Sequence, residues 1–317
     1  MFILATSPSL SWAWGARTHQ IINRRAVELL PDRAREAWSP LTGQLESQAN
    51  DADYRKKDSP DEPPRHFIDI DVYADPPFDT VSRDRSALEK ERGAEEVRRS
   101  GVVPWAIEEC YGQVVSALRS GDWSTAATRA ADLGHYIADA HQPLHLTKNH
   151  NGQLTGNEGV HFRFEVTMLD RHLEESMLAG PSTLDALFPG IKGGPAEMCF
   201  EWIPQSYSGI EAILAADREA RNLDPTFGER YIERLWEGSR EVAIREIDAS
   251  TRHFAFLLER AWDEAGSPPY SVATVQDPAS LAQGTVSREE TSRTKNALPI
   301  LGFALGTALV LIFLGSM

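Results

Sequence analysis

"LGHYIADAHQPLH", Leu133 to His145, decides the reading of this chain. His135 and Asp139 are four apart, so on a helix they share one face. His141 and His145 are also four apart, but Pro143 lies between them and kinks or ends a helix there. Three histidines and an aspartate within eleven residues can aim several metal-type ligands at one point. The alternative is a polar surface turn, and the rest of the chain has to decide between the two.

Outward from this stretch, apolar residues recur at helical spacing. Residues 18–31 read as a helix stopped by Pro31. Residues 101–121 place Pro104 where a helix can start and Gly121 where it can stop. Residues 122–142 open with an Asp or Ser cap ahead of the motif. Residues 161–178, 207–223 and 227–266 supply further helices. Strand-like alternation is scarce; "RHFIDIDVY", residues 65–73, is the best case. Residues 50–84, rich in Pro and Asp, read as a long ordered loop. The expectation is an all-α single multi-helix domain with long ordered loops.

With 41% hydrophobic and 25% charged residues, the chain can bury a real core. Its net charge of −15 argues against a passive nucleic-acid binder, which needs a basic face. An acidic metalloenzyme escapes that objection, because bound cations supply local positive charge. Two cysteines, Cys110 and Cys199, allow at most one disulfide and no Cys-rich zinc site.

Both ends read as targeting segments. Residues 1–13 are apolar, with Ser11 and Ala13 where a signal peptidase prefers small residues, so cleavage would leave Trp14 first. Residues 271–296 read as a flexible tether. Residues 297–317 carry no charge over 21 positions, enough for a transmembrane helix that anchors the chain to a membrane. Arg293 and Lys295 alone would put the domain in the cytoplasm. The N-terminal segment outweighs them, so the domain is expected to be exported and held at the periplasmic or extracytoplasmic face.

The candidate ligands come as two i,i+4 pairs, His135 with Asp139 and His161 with Glu165. His145 follows the kink, His66 sits in "RHFID", and Asp53 or Asp51 lies in "ANDADYR". Six to eight candidates exceed the four ligands of a single zinc, which favours a multi-metal site.

These residues carry a resemblance to the zinc-dependent phospholipase C and S1/P1 nuclease superfamily. "WGARTH", Trp14 to His19, is similar to the nuclease start. "HYIADAHQPLH" matches the family's His-x3-Asp-x5-His core, and "HFRFE" its last His-x3-carboxylate pair. The resemblance implies a helical hydrolase holding three zinc ions. One would be bound by the amine and carbonyl of Trp14, by His19 and by one oxygen of Asp139. A second would take His66, His135 and the other oxygen of Asp139, with Asp53 as a further ligand or general base. The third would take His145, His161 and Glu165. His141 falls behind the ligands or on the surface; His150, His172 and His253 have no counterpart in the motifs.

The implied chemistry is hydrolysis of a phosphodiester by zinc-activated water. The implied substrate is a phospholipid or a single-stranded nucleic acid. The Trp14 start is nuclease-like, whereas Glu165 and the short gap from His145 to His161 resemble the phospholipases. Trp105, Tyr111, Phe162 and Phe164 are not assignable to a base pocket or an apolar lip. No protein partner is predicted. The alternative is a membrane-tethered zinc-binding protein without turnover.

Overall fold

The computed structural model describes residues 14–179 and 193–271, which fall within one compact unit, Met1–Ala273. Residues 1–13 and 272–317 lie outside the described residues, and with them the expected signal peptide, nearly all of the tether and the transmembrane helix. Among the described residues no helix is long and apolar enough to cross a membrane.

Helices run in order α1 (Ala16–Leu29), α2 (Asp32–Trp38), α3 (Thr42–Ser47), α4 (Asp51–Arg55), α5 (Arg85–Arg92), α6 (Ala94–Arg99), α7 (Val103–Arg119) and α8 (Trp123–His141). Then come α9 (Val160–Phe162), a π-helical turn (Arg163–Met168), α10 (Leu169–His172), α11 (Pro195–Tyr207), α12 (Ile210–Leu223) and α13 (Glu229–Glu264). At 36 residues α13 is roughly 54 Å long, and α1, α7, α8 and α12 pack along it.

Local chemistry sets the ends of the motif helix. The Asp122 side chain accepts the Thr125 N–H and caps α8. At the other end Pro143 has no N–H to continue the ladder, and the chain turns through a 3₁₀ segment, Pro143–Leu146. Close packing fixes Gly134. A Cβ there would lie 2.1 Å from Asn23 Oδ1 and 2.6 Å from the Phe254 ring. Only glycine lets α1 and α13 approach α8 beside His135. Asn23 Nδ2 in turn donates to the carbonyls of Leu45 and Ala131, tying α1 to α3 and α8.

Two apolar clusters flank α1 and α8. One, with Trp38, Leu45, Ile107 and Leu258, builds the larger core. The other, with Trp14, Ile22, Phe164 and Tyr231, packs the α9–α10 segment against α12 and α13. The polar site lies where the two meet.

Three readings change. Residues 65–73 form 3₁₀ turns at Pro63–His66 and Ile70–Val72, and no strand is present among the described residues. Their backbone amides find scattered partners, Ile68 N on His145 O and Asp69 N on Ser100 O, so no ladder can form. The stretch read as a loop contains α4 and those two turns. The helix beginning at His161 is three joined pieces ending at His172, with a π turn in its middle. Cys110 and Cys199 are both free and buried.

Candidate metal centre

The core brings eight polar side chains into one buried place. His19 comes from α1, Asp53 from α4, and His66 from the 3₁₀ turn before Phe67. His135 and Asp139 come from α8, His145 from the turn after it, and His161 and Glu165 from the joined helix. They form three abutting groups able to hold metal ions: His19, Asp53 and His135; His66, His135 and Asp139; His145, His161 and Glu165. Asp51, the alternative to Asp53, belongs to none of them.

Distances within the groups are short. His66 Nδ1 is 2.8 Å from Asp139 Oδ2 and 3.1 Å from His135 Nε2. His135 Nε2 is 3.3 Å from Asp139 Oδ2 and 3.6 Å from Asp53 Oδ1. His145 Nε2 is 3.1 Å from His161 Nε2, which is 2.9 Å from Glu165 Oε2. Ligands about 2.0–2.1 Å from a tetrahedral zinc lie roughly 3.3 Å apart, so the spacing fits such an ion. The polar inventory fits as well. Both nitrogens of His19, Asp53 Oδ2, Asp139 Oδ1 and Glu165 Oε1 are buried without a hydrogen-bond donor or acceptor. Buried groups in that condition are costly, and a cation would satisfy them.

His19 faces its expected partner Asp139 and lies within a further group as well. Its ring stacks on His135, centroids 3.9 Å apart, and it joins Asp53 and His135 while Nε2 lies 3.6 Å from Asp139 Oδ1. Trp14 lies at the same place. Its indole Nε1 donates to Ala138 O at 2.7 Å, one residue before Asp139, and Gly15 N donates to Glu165 O at 2.9 Å. The backbone at Trp14 is thus held between two ligand-bearing segments.

Charge is strongly coupled here. Burial would raise the Asp53 carboxyl, but His135, Lys56 and His66 beside it hold it well below the usual range. Asp139 is held low in the same way by His135 and His145, against its own burial. Burial would lower His135, yet Asp139 and Asp53 raise it to about 10. His19 is pushed down to about 3 by burial and by the neighbouring His135.

Several contributors escaped the sequence reading. Lys56, three residues after Asp53, brings Nζ to 2.6 Å from Asp53 Oδ1; the i,i+3 spacing was a legible signal. Gln142 accepts Leu144 N and donates to Glu165 Oε2. His141 is buried rather than on the surface: Nδ1 faces Glu246 at 3.2 Å, Nε2 faces His253 at 2.8 Å, and the ring stacks on Trp202. Glu246 and His253 lie more than a hundred residues away, and no local pattern announces them. His150 is exposed, its ring 6.1 Å from that of His161, and His172 stacks on Trp236. Of the unassigned aromatics, Phe164 packs on Trp14, Trp105 on Phe200, and Tyr111 donates to Glu264; Phe162 is exposed.

A helical domain with three abutting His–carboxylate groups defines a class, the candidate polynuclear metalloproteins. Within it, the pattern of the S1/P1 Nuclease family matches residues 14–173, half of the chain, and the chain belongs to that family. Among solved structures, the Alpha Toxin from Clostridium Absonum is similar in fold. It has 15% identity and a TM-score of 0.52, with 82% of this chain and 67% of that chain covered. No curated protein matches.

Proposed function

We propose that the chain is a zinc-dependent phosphodiesterase acting on single-stranded nucleic acid or nucleotides. The observation that carries this reading is the set of three abutting ligand groups, in a chain of the S1/P1 Nuclease family. His66, His135, Asp139 and Asp53 would hold one ion, and His145, His161 and Glu165 another. His19 and the backbone at Trp14 would hold a third with Asp139. Zinc in such sites supplies hydroxide at neutral pH and neutralises charge on a phosphate.

The chain's own residues then have distinct tasks. Asp53, kept ionised by its basic neighbours, offers Oδ2 to orient an attacking water. Lys56, largely buried beside Asp53, supplies a fixed positive charge for a non-bridging phosphate oxygen. Gln142 holds Glu165 in place. Export, with release of Trp14 as the first residue, and tethering through residues 297–317 complete the proposal.

Glu165 favours a second reading. Its carboxylate in the last ligand pair resembles the phospholipase branch of the superfamily, which would make the substrate a phospholipid headgroup ester. One hydrolysis panel tests both readings: single-stranded DNA, RNA, 3′-nucleotides and phosphatidylcholine, each with chelator and with zinc restored. The expected result is hydrolysis of the nucleic acids, abolished by chelator and recovered with zinc. Hydrolysis of phosphatidylcholine alone would select the second reading. Full zinc loading with no turnover on any substrate would leave a tethered zinc-binding protein.

A further inference from the structure

Each histidine around the central group needs one ring nitrogen turned inward and the other held. His135 turns Nε2 inward and has Nδ1 on the Ala49 carbonyl, 2.8 Å away. His145 turns Nε2 inward and has Nδ1 on the His66 carbonyl, 2.7 Å away. Both partners are neutral. His66 is arranged the other way round. Its Nδ1 faces Asp139, His135 and Asp53, and its Nε2 lies 3.3 Å from Glu62 Oε1, at the distance though not the angle of a hydrogen bond.

Glu62 is itself buried and braced. Tyr136 donates its hydroxyl to Glu62 Oε1. Arg55 Nε donates to Oε2 at 3.2 Å, and Arg55 Nη2 also reaches the Tyr136 hydroxyl at 3.3 Å. Arg65 Nε donates to the same hydroxyl at 3.2 Å. The Tyr136 ring stands edge-on to His66, centroids 5.3 Å apart. These contacts keep the carboxylate ionised and stop it from swinging into the ligand group. Glu62 precedes His66 by four residues, but Pro63 and Pro64 make the link a 3₁₀ turn, so helical spacing does not reveal the pair.

We propose that Glu62 is a positioning residue that fixes His66 as the Nε2–H tautomer, leaving Nδ1 as the donor atom. The carboxylate raises the basicity of that imidazole, as an outer carboxylate does for a metal-bound histidine. The ion held by His66, His135 and Asp139 is then the most tightly bound of the set. This inference rests on the metal reading above.

The test combines two measurements on the whole protein. Zinc affinity of each site is taken by competition with graded chelator, and the His66 tautomer by two-dimensional ¹⁵N NMR of the zinc-loaded protein, in which the ion rather than a proton faces Asp139 from Nδ1. Wild type is expected to show Nε2–H at His66 and one zinc that leaves last. Glu62→Gln keeps an acceptor but loses the charge, so the tautomer persists while that zinc binds roughly 10–100-fold more weakly and no longer leaves last. Glu62→Ala loses the tautomer preference as well. Tyr136→Phe, which leaves the carboxylate in place, weakens the same site to a smaller degree and serves if the Glu62 variants fail to fold. Unchanged affinity at that site in the folded variants would overturn the proposal. A wild type that binds no zinc would overturn the metal reading and this inference with it, an outcome distinct from full loading with unchanged affinity in the variants.

Discussion

At the scale of single residues, the centre without metal is held together by a proton. His135, raised to about 10 by Asp139 and Asp53, stays charged at neutral pH and offsets two buried carboxylates. Its folded value lies above its unfolded value of 6.5, so its stabilisation is complete below about 6.5 and is lost as pH rises toward 10. The chelated protein should therefore melt at progressively lower temperature from pH 6.5 to 10. Zinc takes the place of that proton, so the loaded protein should lose far less over the same range. Equal pH profiles with and without chelator, read by calorimetry, would contradict this. Asp139 makes the second residue-scale case, since it faces His66, His135, His145 and His19 at once. Asp139→Asn should cost about two of three ions, and more activity than the roughly 10–100-fold typical of losing an outer partner. Metal analysis beside a rate assay checks both. The candidate ligand side chains were legible from two i,i+4 pairs and a proline stop, which are local facts, and His19 from the family resemblance. Glu62 was not, because two prolines break the helical spacing to His66, and Glu246 and His253 were not, because their segments meet the motif only on folding.

At the scale of elements, helix pattern and helix breakers carried most of the fold. Asp122 and Pro143 act through a cap and a missing N–H, each readable within a few residues, whereas Gly134 acts through a missing Cβ beside Asn23 and Phe254, which only folding brings there. Periodicity could not show the π turn at Arg163–Met168, since one extra residue per turn is a tertiary accommodation. It carries Glu165 and begins two residues after His161, so its geometry sets that candidate ligand pair. Its anchor is a buried network: Asp217 accepts from Arg163 Nη2 at 2.8 Å, from Asn157 Nδ2 at 2.7 Å and from the Tyr231 hydroxyl. Asp217→Ala leaves Arg163 without its buried partner, a loss of about 3–5 kcal/mol. The variant should unfold at lower denaturant and release the zinc at His145, His161 and Glu165 first. Selective loss of the His66 ion instead would show that the network does not serve this turn.

At the scale of the whole molecule, the proposed centre would depend on how the chain is processed. The ligand side chains end at Glu165, while α11 to α13 supply the wall against which α8 and the joined helix pack. A protein ending at Lys295 should keep its activity and stay in the soluble fraction, whereas the full chain should sediment with membranes; fractionation separates the two outcomes. Trp14 makes the sharper demand. Trp14 is fully buried, its indole tied to Ala138 and its neighbour Gly15 tied to Glu165, so the backbone there is fixed between the carriers of Asp139 and Glu165. A free amine of pKa near 8 can lose its proton to zinc and chelate together with its own carbonyl. An amide nitrogen in mid-chain keeps its proton and cannot. If Trp14 serves only as packing, one residue placed before it changes nothing at the metal. If its amine is a ligand, that residue removes a chelating pair and leaves His19 and Asp139 to hold the ion alone. A protein beginning at Trp14 should therefore bind close to three zinc ions, and the same protein with a single extra Gly in front should bind about one fewer and turn over more slowly. Equal zinc content and equal rates in the two would remove Trp14 from the ligand set.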